Sequence, residues 1–155
     1  MSGEILSEAI SLSELGFRIF PCNAEKRPLV NSWPAEATTD PTQLKNWFGR
    51  GNRLIGVPTG PLNDLFVLDV DPEGKNWYQA NEARLGSSRI HETRRGHHCL
   101  FRFPKNFFGK TTTVGRVAKG IDTRGEGGYV IWWPGSGLTS VGSLSDLQPP
   151  PKWLL

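Results

Sequence analysis

The sequence has few of the residues that stabilise small secreted proteins. Only two of its 155 residues are cysteine, Cys22 and Cys99, and they lie far apart in the chain. This number and spacing argue against a disulfide framework and against a Cys-x-x-Cys zinc site, and they favour a reducing compartment. The opening segment "MSGEILSEAISLSELG" carries glutamates and lacks the basic start and apolar core of a signal peptide. We therefore expect a cytoplasmic protein.

Long apolar runs and a strong excess of one charge are also missing. No segment approaches the roughly 20 apolar residues that a membrane-spanning helix needs. The 18 Lys and Arg exceed the 15 Asp and Glu by little, giving a net charge of +3 and a pI of about 9.1. This balance permits a polyanionic partner without requiring one. The segment "PKNFFGKT" ends like a phosphate-binding P-loop, but Pro104 replaces the first glycine, so an ATP-driven motor is not indicated.

The patterns that are present predict an α+β fold. Helical spacing marks residues 3–15, the segment "PTQLKNWF" after an Asp40 N-cap, and "PEGKNWYQANEARLG". Strand patterns mark "FRIFP", "RLIGVPTG", "LFVLDVD", a hairpin in "SRIHETRRGHHCLFRF", and two short strands around a glycine-rich turn in "KGIDTRGEGGYVIWWPG". We expect a single compact domain over residues 1–150, with mixed β-sheet flanked by helices. Residues 151–155 would begin a linker or a C-terminal tail.

The strand "LFVLDVD" ends with two carboxylates on one face. Alternate strand residues point the same way, so Asp69 and Asp71 converge while Phe66, Leu68 and Val70 face the other side. Close like charges repel unless a cation lies between them, and a divalent cation with oxygen ligands is the usual solution. The alternative is that the aspartates cap the helix that follows.

The hairpin "RRGHHCLFRF" separates a histidine from an apolar face. Cys99 and Phe101 share one face, which leaves His98 and Arg102 on the other. An imidazole among arginines, including Arg95 in the turn, suits phosphate oxygens. A surface histidine without a function is the open alternative.

The segment "GIDTRGEGG" supplies a further carboxylate and a further cationic side chain. Asp122 and Arg124 share a strand face, and the glycines after them allow backbone to approach a ligand closely. These side chains would provide a third carboxylate and another phosphate donor. The alternative is an exposed ion pair of little energetic importance.

Taken in order, five segments resemble the N-terminal bifunctional DNA primase/polymerase (prim-pol) domain of the archaeo-eukaryotic primase superfamily. They are "KRPLVNSW", "IGVPTG", "LFVLDVDP", "RRGHHCLFRF" and "GIDTRGEGGYVI", and the resemblance runs from Gly16 to about Pro150. It implies an RRM-like catalytic core and a template-dependent nucleotidyl transferase with two Mg²⁺ or Mn²⁺ ions. The replicating molecule would be a plasmid, a phage or another mobile element. The implied metal ligands and catalytic residues are Asp69, Asp71 and Asp122, and the implied nucleotide-binding residues are His98, Arg124, Arg95, Arg102 and Lys26.

The resemblance also implies partners, and it leaves other functions open. The expected partners are a DNA template with its primer, nucleoside triphosphates, and a helicase domain or protein, with no membrane. A non-catalytic module that binds an origin or a single strand would retain the basic surface, and a metal-dependent nuclease would use the same carboxylates. Any of five tryptophans, at positions 33, 47, 77, 132 and 133, is a candidate for stacking on bases.

Overall fold

The computed structural model describes residues 2–155, and the fold belongs to the α+β class, as predicted. The helices are α1 (Ser2–Glu14), α2 (Trp33–Glu36), α3 (Pro41–Phe48) and α4 (Lys75–Leu85). The strands are β1 (Phe20–Cys22), β2 (Leu54–Pro58), β3 (Phe66–Val70), β4 (Arg89–Glu92), β5 (His97–Phe101), β6 (Thr113–Ala118), β7 (Ile121–Arg124), β8 (Tyr129–Ile131) and β9 (Ser140–Gly142). Every pairing between these strands is antiparallel, so the sheets expected to be mixed contain no parallel pair among the described residues.

The first of two compact units comprises the chain up to Pro58 and Tyr129–Leu138. It contains a three-stranded sheet in the order β1-β2-β8, and its apolar cluster includes Phe20 and Trp133. Helix α3 begins as its sequence predicts, because the Asp40 carboxylate accepts hydrogen bonds from the backbone at the start of the helix.

The second unit comprises Thr59–Gly128 and Thr139–Leu155. Its six-stranded sheet has the order β6-β7-β3-β5-β4-β9, which places β3 near the middle. One face of this sheet is apolar, as the alternation predicts. Its buried side chains form a cluster of Phe66, Leu68, Val70, Tyr78, Leu85, Cys99, Phe101, Ile121 and Leu154. Tyr78 and Leu85 belong to α4, which therefore covers this face and leaves the polar side chains of the strands on the other.

Two local predictions needed correction, and two strands were missed. The strands of "KGIDTRGEGGYVIWWPG" both exist, but β7 pairs with β3 and β6 while β8 pairs with β2, so they do not form a hairpin. The strand expected in "FRIFP" begins later, at Phe20. Strands β6 and β9 were not predicted. At the end of the chain, Lys152–Leu154 forms a 3₁₀ turn.

None of the helices in residues 2–155 has the length and apolar character that crossing a membrane requires.

Candidate active site

The register of the six-stranded sheet aligns polar side chains from neighbouring strands. On β3, Asp69 lies directly opposite His98 of β5 on one side and Asp122 of β7 on the other. Side chains that are opposite each other in an antiparallel pair share a face, with Cβ atoms about 4.5–5.5 Å apart. The three side chains therefore form a row across one face of the sheet, on the side away from the apolar cluster.

Asp71 joins this row although it lies beyond the end of β3. Its backbone N–H donates a 2.9 Å hydrogen bond to the carbonyl of Gly120, which extends the pairing with the β6–β7 turn. This approach requires glycine, because Gly120 has φ +78° and an added Cβ would lie 2.3 Å from the nitrogen of Gly74. Carboxylate oxygens of Asp69, Asp71 and Asp122 consequently lie within 4.8 Å of one another.

The capping alternative does not account for Asp71. Asp71 precedes the 3₁₀ turn Pro72–Gly74, but its side chain makes no capping hydrogen bond within the described residues. Its environment instead opposes its charge: burial raises the pKa of Asp71, the nearby carboxylates raise it further, and Arg95 and Arg124 act in the opposite direction. The cluster therefore holds more negative charge than the two arginines balance, which favours a bound cation.

Two groups from the protein orient the carboxylate of Asp122. The guanidinium of Arg124 lies 3.7 Å from one oxygen of Asp122 and 3.9 Å from an oxygen of Asp69. The backbone N–H of Gly115 on β6 donates a 2.8 Å hydrogen bond to the other Asp122 oxygen. Gly115 adopts φ +63° where the register of β6 shifts against β7, and this irregularity directs its N–H toward the carboxylate. One oxygen of Asp122 thus accepts a hydrogen bond from Gly115, and the other forms an ion pair with Arg124.

His98 is buried, so the alternative of a surface histidine, which the sequence left open, does not apply to it. Its side chain is 7% exposed, and its Nε2 lies 3.4 Å from a carboxylate oxygen of Asp69. Its Nδ1 has no hydrogen-bond partner within the described part of the chain. A buried polar atom without a partner is uncommon in folded proteins, so this nitrogen requires an explanation. The adjacent His97 faces the other way and packs edge-on against Tyr78.

A fifth member of the row, His91 on β4, was not predicted from the sequence. It lies opposite His98 and is only 1% exposed. The Nε of Arg89 donates a 3.0 Å hydrogen bond to Nε2 of His91. Burial is the main reason that the pKa of His91 falls to about 3, and Arg89 and His98 lower it further, so this imidazole is neutral at physiological pH. The signal was present in "RIHE", but recognising it requires the register of the β4–β5 hairpin.

The remaining predicted nucleotide-binding residues lie in three different places. Arg95 is exposed in the β4–β5 turn and is close enough to Asp71 to lower its pKa. Arg102 lies four positions beyond His98, about 13 Å along an extended strand. There it pairs with Asp64 at 3.2 Å, so the structure does not bring it into the cluster. Lys26 belongs to the first unit, where its carbonyl accepts a hydrogen bond from the Tyr129 hydroxyl.

Most of the tryptophans considered for base stacking have packing roles. Trp132 and Trp133 are buried, and Trp33 stacks against Phe20 with ring centroids 5.4 Å apart. Trp77 packs beside Trp153 in the second unit.

Comparison with known families gives one match. The model of the family described as "Bifunctional DNA primase/polymerase, N-terminal" matches residues 9–153, which is almost the whole chain. No curated protein is significantly similar to the chain.

Proposed function

Because this chain belongs to the family of bifunctional DNA primase/polymerase N-terminal domains, we propose that it joins nucleotides on a DNA template through Asp69, Asp71 and Asp122. One observation carries the proposal: carboxylates from β3, its C-terminal extension and β7 have oxygens within 4.8 Å of one another. They share a sheet face with a buried histidine that has an unpartnered nitrogen. Primer synthesis or primer extension is the reaction that this family description supports.

The acidic cluster fits the divalent ions on which this family generally depends. Carboxylate oxygens are the ligands that Mg²⁺ and Mn²⁺ prefer, and the mutual repulsion of the three aspartates decreases when a cation lies among them. We propose that Asp69, Asp71 and Asp122 hold two such ions. When bound, such ions would lower the pKa of a primer 3′-hydroxyl and neutralise charge on the triphosphate.

The basic and imidazole groups beside the cluster would position the nucleotide. Arg124 lies at the carboxylates and is 30% exposed, so its guanidinium can donate to a phosphate while it still orients Asp69 and Asp122. His98 keeps Nε2 toward Asp69 and has Nδ1 free to contact the triphosphate. Arg95 would add a donor from the turn. Fixed donors around a triphosphate raise the rate by orienting the reacting groups before the reaction begins.

Replication of a plasmid, phage or other mobile element is the setting we propose. In that setting a helicase domain or protein would open the duplex, since the sequence contains no P-loop that could couple ATP hydrolysis to unwinding. This domain would then act on the exposed strand.

The test is extension of a labelled primer on a DNA template, with Mg²⁺, Mn²⁺ or EDTA. Longer products that require the divalent ion are expected from the native chain. Asp69→Asn should abolish them, while Asp146→Asn, which changes an exposed carboxylate outside the cluster, should leave them unchanged. Metal-dependent shortening of the primer would assign a nuclease instead, and binding without any change in length would assign a non-catalytic module. Full incorporation by a folded Asp69→Asn protein would remove the cluster from the reaction.

The role of His98 is tested separately from that of the carboxylates. His98→Ala should weaken nucleotide binding much more than DNA binding, because we assign the unpartnered Nδ1 to the triphosphate. Nucleotide titration in the presence of Mn²⁺ measures this, and unchanged affinity and turnover would contradict the assignment.

A further inference from the structure

A second surface of the second unit lies at the far end of β5 from the carboxylate cluster. It is a groove of about 840 Å³ between the segment that follows β5 and the proline-rich C-terminal segment. Its walls include Phe103, Lys105, Phe107, Pro151 and Lys152.

The charged side chains that line the groove are all positive. Lys105 and Lys152 are exposed, and neither forms an ion pair within residues 2–155. Arg102 also lines the groove, but its guanidinium is already paired with Asp64 at 3.2 Å. The two lysines are therefore the cations available to an anionic ligand.

The loop along the groove also presents aromatic rings. Asn106 has φ +60°, a left-handed conformation that turns the chain just before two phenylalanines. The Phe107 ring lies against the backbone of Gly109, where an added Cβ would be 2.6 Å from the ring, so Gly109 allows this packing. Phe108, in contrast, is 96% exposed. A ring with both faces in water offers a flat apolar surface in the loop whose preceding residues line the groove.

We propose that this groove and its Phe108 loop bind single-stranded nucleic acid, namely the template strand as it approaches or leaves the carboxylate cluster. Proteins that bind single strands combine a basic groove for phosphates with aromatic rings on which bases stack. Here Lys105 and Lys152 would contact phosphates, and Phe108 would stack on a base. The groove begins at Arg102, about 13 Å along β5 from His98, which corresponds to about four stacked nucleotides.

Two observations favour nucleic acid over an acidic peptide. A peptide usually binds by inserting an anchoring side chain into a pocket that removes it from water. Phe108 instead projects from the protein surface and offers its ring faces for stacking. The segment "PKNFFGKT" places lysines on both sides of the phenylalanines, which suits a ligand whose charges and flat rings alternate. The choice of a template strand rests on the proposed function, but binding of a single strand can be measured without catalysis.

The experiment measures binding of a fluorescein-labelled 12-nucleotide oligo(dT) by anisotropy, in EDTA and without nucleotides. Phe108→Ala should weaken binding about 5- to 150-fold, the range reported by alanine substitution for one stacked base. The double variant Lys105→Ala/Lys152→Ala should make the log–log dependence of affinity on salt less steep by about 1.4, since each phosphate contact to a single strand contributes about 0.7.

Matched controls come from exposed positions in the first unit. Leu15→Ala removes an exposed apolar side chain, and Lys45→Ala removes an exposed lysine. Both should bind the oligonucleotide like the native chain. Native-like affinity and salt dependence in the folded groove variants would overturn the proposal. Equal affinity for a labelled 12-residue poly-Glu peptide, lost in the same variants, would overturn the assignment to nucleic acid.

The outcome is distinguishable from failure of the proposed function. If the groove variants lose strand binding while the native chain incorporates no nucleotide, the groove is confirmed and the catalytic proposal fails. If the native chain incorporates nucleotides and the groove variants bind the strand normally, the catalytic proposal is confirmed and the groove proposal fails.

Discussion

Replacing one aspartate of the cluster should make the metal-free protein more stable. Asp71 is the best position, because its side chain makes no capping hydrogen bond within the described residues and its pKa is raised by burial and by its acidic neighbours. Asp71→Asn retains the size and polarity of the side chain and removes one charge. The free energy of unfolding in EDTA at pH 7 should therefore increase.

The geometry of the cluster sets the size of this gain. Two carboxylate oxygens at the 4.8 Å upper limit of their separation would repel by about 0.9 kcal/mol at the dielectric constant of water and by about 3.5 kcal/mol at an effective value of 20. Asp71 has two such neighbours, whose effect is partly offset by Arg95 and Arg124. The site is partly solvated, so we expect a net gain of about 1 kcal/mol, which corresponds to about 2–4 °C in Tm for a chain of this length.

The sign of the pH dependence follows from the raised pKa. Below the ordinary aspartate pKa of about 3.9 the group is protonated in both the folded and the unfolded state, so the variant has no advantage. As the pH rises through the ordinary pKa and then the raised one, the native chain loses stability that the variant retains. The difference should therefore be absent near pH 3 and complete at pH 7.

Thermal and urea unfolding of the native chain, Asp71→Asn and the control Asp146→Asn would measure these differences. Adding Mn²⁺ should reverse the order, because a ligand at about 100 times its Kd stabilises a native protein by about 2.7 kcal/mol and the variant has lost one of the three proposed metal ligands. A variant that is less stable than the native chain in EDTA, or a difference that persists unchanged at pH 3, would refute the electrostatic reasoning.

Three further predictions concern backbone geometry and thiol chemistry. Gly120→Ala should lower the free energy of unfolding by about 2–5 kcal/mol, since it combines left-handed strain with a steric clash. The control is Gly16→Ala: Gly16 has φ +93°, but no described atom lies within 4 Å of an added Cβ, so this change should cost only the strain of about 1–2 kcal/mol. Gly115→Ala should weaken Mn²⁺ binding about 10-fold in a calorimetric titration, because it disturbs the amide that orients Asp122, a proposed metal ligand. Unchanged affinity would contradict that role. Cys22 and Cys99 are buried, and burial raises the pKa of each thiol to about 12. Neither thiol should therefore react with iodoacetamide at pH 8 until the protein unfolds, and rapid labelling of the native chain would contradict their burial.

The parts of the site that were predicted depend on local patterns. Alternation along β3 and β5 placed Asp69 and His98 on the polar faces of their strands, and the same rule placed the pair Asp122 and Arg124. Alternation is a property of a few consecutive residues, so it is visible in the sequence alone. Helix α3 was predicted for the same reason, since its cap lies next to its first turn.

The parts that were missed depend on contacts between distant segments. Alternation assigns Arg102 to the same face as His98, but it does not show that Asp64, 38 residues earlier, holds it outside the cluster. His91 was missed because its place beside His98 follows from the register of a hairpin. Strand β6 was missed because Gly115 and the register shift interrupt its alternation.

The central position of β3 has a consequence for the order of folding events. The acidic cluster requires β3 to be paired with β7 and its apolar face to be covered by α4, and both partners follow β3 in the chain. An intermediate with only the β3–β5 pairing has Asp69 and His98 side by side but lacks the third carboxylate. A cation that needs all three aspartates cannot favour that intermediate, because it gains its ligands only when the sheet is complete. Metal ions should therefore leave the folding rate nearly unchanged and slow unfolding, so that the complete acidic cluster and the kinetic persistence of the fold arise in the same late step.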